Sequence, residues 1–256
     1  MKSKTKLIVA NWKMNPESSD EAKVIATDIV RKINAVKSAK LVICPPFVFL
    51  NEVSKVISNS KNTCLGAQDV FFGEGVAHTG EIGFEMLKSA GVKYIIVGHS
   101  EKRASGDTDE IVRSKLLGVL KSGFNAILCV GEKERNEHGH YFSEIEKQLK
   151  SAIEKMPKKF IKKLIVAYEP IWAIGKSEKE AMKPENLNEM SIFIKRVLND
   201  ILRTKEFEKV LVLYGGSVTK INGKDILEKG NVNGLLVGRE SLKTEDFSEL
   251  IKEISS

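Results

Sequence analysis

Short apolar runs, rich in β-branched residues, recur along the whole chain. There are eight: Leu7–Ala10, Leu41–Cys44, Thr63–Ala67, Tyr94–Val97, Ala126–Val130, Leu164–Ala167, Val210–Leu213 and Gly234–Val237. Each run is continuously apolar rather than alternating, which is typical of parallel strands that are covered on both faces. The pattern therefore predicts eight buried parallel strands.

Segments of helical periodicity separate these runs. Ser18 and Glu21 have the spacing of a capping box, which predicts the start of a helix. An apolar stripe at helical spacing follows, formed by Ile25, Ile29, Ile33 and Val36. Comparable patterns predict helices over Glu81–Ala90, Asp109–Lys121, Phe142–Met156, Pro184–Arg203 and Ile221–Glu228.

Eight strand–helix units without a low-complexity linker predict an α/β fold, a single closed (β/α)8 barrel. The chain has 256 residues, and such barrels commonly use about 250 in one domain. We therefore expect one domain over residues 1–256. The alternative is an open doubly wound sheet, which the count of eight and the lack of a glycine fingerprint after the first run disfavour.

Composition excludes several classes of protein. Hydrophobic residues make up 42 % of the chain, and no apolar run approaches the roughly 20 residues of a membrane span. The basic start, Met1–Lys6, precedes an apolar run too short for a signal-peptide core, so we expect a cytoplasmic protein without a membrane partner.

Charge and cysteine content exclude others. The net charge is +7, but the lysines are scattered along predicted helices and alternate nowhere with aromatic residues. We interpret them as a solvated surface and expect no nucleic-acid partner. Cys44, Cys64 and Cys129 each lie in an apolar run, which predicts reduced core thiols rather than a nucleophile or a metal site.

Polar residues follow several predicted strands at their carboxyl ends, where a barrel builds its active site. They are Asn11-Trp12-Lys13, Gly98-His99-Ser100-Glu101, Tyr168-Glu169-Pro170, Tyr214-Gly215-Gly216-Ser217 and Gly238-Arg239. Taken singly, each residue has an ordinary structural explanation. Together they bring a cation, a histidine, a carboxylate and two glycine loops to one mouth.

This combination favours proton transfer next to a carbonyl of a small phosphorylated sugar. Glycine loops after the seventh and eighth strands offer backbone N–H groups to a phosphate. Lys13 supplies positive charge, Glu169 could act as general base, and His99 could donate a hydrogen bond to an oxyanion. If Ser100 begins a helix, the helix terminus favours a neutral imidazole. The small residues of Trp172–Glu178 could form a lid or an ordinary loop.

These residues also carry a family resemblance that covers nearly the whole chain. The segments Asn11–Asn15, Tyr94–Glu101, Ala167–Gly175 and Tyr214–Val218 resemble, in order, the motifs of the triosephosphate isomerases. Gly66–Asp69 and Cys129–Glu132 extend the resemblance. It implies a TIM barrel that interconverts dihydroxyacetone phosphate and glyceraldehyde 3-phosphate in glycolysis and gluconeogenesis, without cofactor or metal.

The resemblance also implies individual roles. Glu169 would be the base, His99 the electrophile, Lys13 an electrostatic anchor and Asn11 a hydrogen-bond donor, with Glu101 and Ser100 in support. Backbone groups of Gly175, Ser217, Gly238 and Arg239 would hold the phosphate. The loop Phe71–Glu81 resembles a projection that docks into a second subunit, with Thr79 at the interface of a homodimer.

Three departures from the family pattern affect the lid and the phosphate loop. Gly175 is followed by Lys176-Ser177-Glu178-Lys179, the segment Lys102–Asp107 is one residue short, and Arg239 replaces a glycine. The backbone N–H of an arginine serves as well if φ is negative, and we expect its side chain to face solvent. Two other functions stay open, a different phosphosugar barrel such as an epimerase and an inactive barrel kept as a scaffold.

Overall fold

Eight parallel strands close into one barrel in the computed structural model, which describes residues 5–34, 36–73, 77–135, 138–176 and 181–255. The strands pair in chain order and β1 pairs with β8, which confirms the predicted (β/α)8 barrel and excludes the open sheet. They are β1 (Lys6–Asn11), β2 (Ala39–Cys44), β3 (Thr63–Ala67), β4 (Tyr94–Val97), β5 (Asn125–Val130), β6 (Leu164–Tyr168), β7 (Leu211–Tyr214) and β8 (Gly234–Val237).

Helices form the outer layer. They are α1 (Ser19–Ile33), α2 (Leu50–Ile57), α3 (Phe84–Ser89), α4 (Ser100–Ala104), α5 (Asp109–Lys121), α6 (His140–Ile153), α7 (Pro184–Leu202), α8 (Gly223–Lys229) and α9 (Thr244–Glu253). Ser18 Oγ accepts a hydrogen bond from the Glu21 N–H, as the predicted start of α1 requires. No helix in the described ranges has both the length and the apolar content needed to cross a bilayer.

Some boundaries differ from the sequence prediction. α3 begins at Phe84 rather than Glu81, because Gly83 is its extended N-cap. β7 lies one residue later than predicted, since Val210 caps a preceding 3₁₀ turn. α7 ends before Arg203, whose φ of +46° is left-handed.

Apolar side chains pack on both faces of the barrel wall, one layer inside the barrel and one between the barrel and the helices. Because successive residues of a strand alternate between these two layers, the alternation decides which residues face the site. The inner layer contains alternate residues of the strands, among them Leu7 and Val9 of β1 and Ile165 and Ala167 of β6. Side chains alternate along a strand with period two. Continuing each series by one step past Val9 and Ala167 brings Asn11 and Glu169 to the barrel mouth.

The cysteines follow the predicted pattern with one difference. Cys44 and Cys129 are buried free thiols of the inner layer, while Cys64 is only half-buried. Burial raises the pKa of the Cys44 thiol. Burial also raises the pKa of the Cys129 thiol, and the nearby Glu169 charge adds to that effect. Both thiols are therefore poor nucleophiles at neutral pH.

Candidate active site

An open cavity of about 1190 Å³ lies at the carboxyl ends of the strands. It brings together most of the residues that the sequence singled out. Those that line it are Asn11, Lys13, His99, Glu101, Glu169, Gly175, Ser217, Gly238 and Arg239. Ser100 lies beside the cavity and contacts Glu169 through its backbone.

Lys13 holds an unusual backbone conformation at the mouth. Its φ is +54°, a left-handed value that side-chain-bearing residues seldom adopt. Two contacts hold it: its N–H donates to Asn11 Oδ1 at 3.1 Å, and its carbonyl accepts from Gln68 Nε2 at 2.8 Å. Local strain of this kind persists only where the surroundings determine the conformation. Asn11 and Gln68 therefore fix the direction of the lysine side chain.

The Lys13 ammonium is paired with a carboxylate. Its Nζ donates to Glu101 Oε1 at 2.5 Å. Burial alone would raise the pKa of the Glu101 carboxyl, but the hydrogen bond and charge of Lys13, with a contribution from His99, lower it overall. Glu101 is thus an anion at neutral pH and helps to position the lysine.

His99 is the N-cap of α4, and its ring orientation is set by that position. Its Nδ1 accepts a hydrogen bond from the Glu101 N–H at 3.2 Å. A nitrogen that accepts carries no proton, so the neutral ring bears its proton on Nε2. Nε2 points into the cavity and lies 3.3 Å from Glu169 Oε1. The ring can therefore donate one hydrogen bond into the cavity.

Glu169 directly follows β6 and is only 2 % exposed. Its Oε2 accepts from the Ser100 N–H at 3.2 Å, at the start of α4. Glycines make room for it: a β-carbon on Gly215 would lie 2.8 Å from Glu169 Cγ, and one on Gly131 1.8 Å from Glu169 O. The carboxylate is therefore held in a pocket that water reaches poorly.

A buried carboxylate anchors the segment after Glu169, and the sequence assigned no role to it. Glu132 Oε1 accepts from Tyr168 Oη and from Trp172 Nε1, each at 2.8 Å. The Arg135 guanidinium lies over the Trp172 ring, 5.6 Å from its centroid. Burial raises the pKa of Tyr168, so its hydroxyl stays protonated and donates. The position of Glu132 just after β5 was the available signal.

The loop after β7 contacts the expected lid. Ser217 Oγ donates to the Ala173 carbonyl at 2.8 Å and accepts from the Lys176 N–H at 3.1 Å. Gly175, between these contacts, has a φ of +70°. The lid expectation covered Trp172–Glu178, of which residues 177 and 178 lie outside the described residues. The segment up to Lys176 thus rests on the loop that carries Ser217.

The loop after β8 completes the cavity. A 3₁₀ turn (Arg239–Leu242) starts directly after Gly238, and Ser241 Oγ donates to the Gly238 carbonyl at 2.7 Å. Arg239 is not among the residues with positive φ, so its backbone tolerates the side chain. That side chain is exposed, and a β-carbon placed on Gly175 would lie 3.2 Å from its Nη2.

Thr79 belongs to a different surface. It is exposed and does not line the cavity. The loop that carries it is closed by a hydrogen bond from the Phe71 N–H to the Ile82 carbonyl at 2.9 Å. Residues 74–76 of the expected docking loop lie outside the described residues.

A parallel eight-stranded barrel whose mouth apposes a buried carboxylate and an imidazole defines an enzyme of the TIM-barrel class. The family model for triosephosphate isomerase matches residues 6–254. Proteins named triosephosphate isomerase from Aquifex aeolicus (strain VF5) and Thermoanaerobacter sp. (strain X514) are 39 % and 38 % identical to this chain. Each match covers 96 % of this chain and 98 % of the relative. The chain therefore belongs to the triosephosphate isomerase family and is an isomerase, which confirms the resemblance drawn from its motifs.

Proposed function

We propose that this enzyme interconverts dihydroxyacetone phosphate and D-glyceraldehyde 3-phosphate through an enediolate, without cofactor or metal. The observation that carries the proposal is the apposition of Glu169 Oε1 and His99 Nε2, 3.3 Å apart. A base that removes a proton from carbon and a group that donates a hydrogen bond to the neighbouring oxygen must lie this close together to act on one small substrate. The names of the relatives support the substrate.

In the proposed reaction, Glu169 removes a proton from carbon 1 of dihydroxyacetone phosphate. The electron pair of that C–H bond forms the C1=C2 double bond, and the carbonyl oxygen on carbon 2 becomes the oxyanion. The Nε2–H of His99 and the ammonium of Lys13 stabilise this charge. A proton then passes from the oxygen on carbon 1 to that on carbon 2. The electron pair left on the carbon 1 oxygen forms the aldehyde C=O bond, while the C1=C2 pair takes the proton that Glu169 returns to carbon 2.

Two features support the remaining role assignments. Asn11 is 5 % exposed and lines the cavity next to Lys13, where its amide could donate to substrate. The expected phosphate site uses the backbone N–H groups of Gly175, Ser217, Gly238 and Arg239, which lie on loops in mutual contact. Oriented backbone N–H groups favour anions. We propose that the segment containing Gly175 closes over the phosphate.

We also propose a homodimer. Exposed apolar side chains lie at the carboxyl ends of β1 and β2 and on α3: Met14 is 90 %, Val48 79 % and Met86 62 % exposed. The loop carrying Thr79 follows β3, so these groups share one flank of the barrel. An apolar flank of this kind marks an interaction surface. A second copy of the chain is the proposed partner.

The remaining proposals concern organisation and location. One barrel includes strands from Lys6 to Val237, so we propose a single domain over residues 1–256. The buried free thiols suit a reducing compartment, and we propose the cytoplasm, with glycolysis and gluconeogenesis as the pathways.

A coupled assay that follows dihydroxyacetone phosphate formed from D-glyceraldehyde 3-phosphate tests the proposal. We expect rapid turnover by the wild type and a loss of at least about 10³-fold in Glu169→Gln, because the amide cannot accept the proton. A folded wild-type protein without turnover would favour the scaffold alternative. An enzyme that turned over only a pentose phosphate, and inverted the carbon next to its carbonyl without moving the carbonyl, would be an epimerase instead.

A further inference from the structure

The side chain of Arg239 spans the expected phosphate site. It starts in the loop after β8, at a residue whose own N–H belongs to that site, and its Nη2 reaches Gly175 in the loop after β6. A β-carbon on Gly175 would lie only 3.2 Å from this nitrogen. Both ends of the side chain are therefore next to backbone N–H groups proposed to hold the phosphate.

The charge of this guanidinium is not neutralised within the described part of the chain. Two other cations that line the cavity have carboxylate partners: Lys13 pairs with Glu101 at 2.5 Å and Lys243 with Glu240 at 3.0 Å. Arg239 forms no ion pair with any described carboxylate, although it is long enough to reach across the mouth. An unpaired guanidinium offers a planar fork of donors that matches two oxygens of a phosphate.

We propose that Arg239 is a phosphate-contacting, specificity-determining residue, whose guanidinium adds a side-chain contact to the backbone N–H groups of the site. This inference rests on the proposed function, since it assumes a phosphorylated substrate. The contact favours a phosphate dianion over a neutral end group and links the β8 loop to the loop that carries Gly175. It replaces the expectation that the side chain faces solvent.

Calorimetric titration with inorganic phosphate at pH 8 tests this directly. At an ionic strength of about 0.01 M, where screening is weak, we expect Arg239→Gln to raise Kd at least about fivefold. Arg239→Lys should recover part of the loss, because it keeps the charge but not the fork. Lys243→Gln is the matched control: it removes one charge from the same mouth, but from a paired residue, and should change Kd less than about twofold.

Kinetics separate a phosphate contact from a merely structural role. For D-glyceraldehyde 3-phosphate, Arg239→Gln should raise KM and lower kcat/KM by at least about fivefold. For D-glyceraldehyde, which lacks the phosphate, kcat/KM should stay within about twofold of the wild type. Equal losses with both substrates would overturn the proposal in favour of a structural role for the side chain.

A change of less than twofold in the phosphate Kd for Arg239→Gln would also overturn the proposal, because the guanidinium would then face solvent. The calorimetric comparison requires no turnover. The wild type could bind phosphate through Arg239 and yet not isomerise triose phosphates. That result would contradict the proposed function but support the contact between Arg239 and the anion.

Discussion

Hydrogen bonds that involve the backbone orient His99 and Lys13. The Glu101 N–H occupies His99 Nδ1, which leaves Nε2–H as the group directed at Glu169. The Asn11 side chain holds the Lys13 N–H in a left-handed turn. The protein itself makes these contacts, so the donors need little reorganisation during the reaction.

Glu169→Asp should fold and lose activity. The carboxylate retreats by one methylene, and a displacement of about 1 Å can cost about 10²-fold in rate. We expect a fall of at least that size in kcat and an unchanged melting temperature. Glu52→Asp, on α2 and outside the cavity, is the control and should turn over normally. Near-wild-type kcat in Glu169→Asp would remove Glu169 from the role of base.

Glu101→Gln should alter the response of stability to acid. The folded-state pKa of Glu101 is lowered from 4.5, so the carboxylate stabilises the fold above that pH. This contribution is lost as pH falls through the lowered folded-state pKa. In urea unfolding, the difference between wild type and variant should therefore be largest near neutral pH and shrink below about pH 4. A difference that grows with acidity contradicts the assignment.

The elements show how far sequence pattern alone can go. All eight strands were predicted to within two residues, because continuous apolar runs are the direct signature of strands covered on both faces. α2 and α9 were not among the predicted helices, and α3 was predicted too long, because a short helix is stabilised mainly by packing. The start of α3 is set by Gly83, its extended N-cap, whose conformation depends on tertiary structure rather than on the periodicity of the sequence.

Gly175→Ala tests the lid segment. Its φ of +70° is unfavourable for alanine, and the added carbon would press on Arg239. We expect destabilisation of about 1 kcal/mol and a fall in kcat/KM of at least about tenfold. Gly139→Ala is a matched control, with a φ of +69° and only ordinary contacts to Phe142. It should lose similar stability and keep its activity, and equal kinetic losses in both variants would rule out a special role for Gly175.

At the scale of the molecule, the barrel brings together residues distant in sequence. Glu132 reaches Tyr168 and Trp172 across 36 and 40 residues, a separation from which no local pattern could predict contact. The proposed reacting groups could be predicted, because each follows a strand at the mouth. The direction of the Arg239 side chain could not, since a rotamer rather than a spacing decides it.

The exposed flank formed by Met14, Val48 and Met86 leads to a test of assembly. We expect wild type to sediment as a dimer at micromolar concentration and Met14→Arg to shift it toward monomer, because the charge would be buried in the interface. Ile192→Arg, at an exposed position of α7, should leave the dimer intact. A monomeric wild type contradicts the dimer, whereas a dimeric Met14→Arg places the interface elsewhere.

The most direct test of proton transfer by Glu169 is isomerisation of dihydroxyacetone phosphate in D2O, followed by ¹H NMR. A carboxylic acid formed at the mouth exchanges its proton with solvent, so the account predicts glyceraldehyde 3-phosphate with deuterium at carbon 2. Glu169→Gln should form glyceraldehyde 3-phosphate far more slowly than the wild type, whether carbon 2 carries hydrogen or deuterium. If the wild-type product carried only hydrogen at carbon 2 and Glu169→Gln formed it at an unchanged rate, hydrogen would move directly between the carbons, which would contradict the enediolate and the role of Glu169.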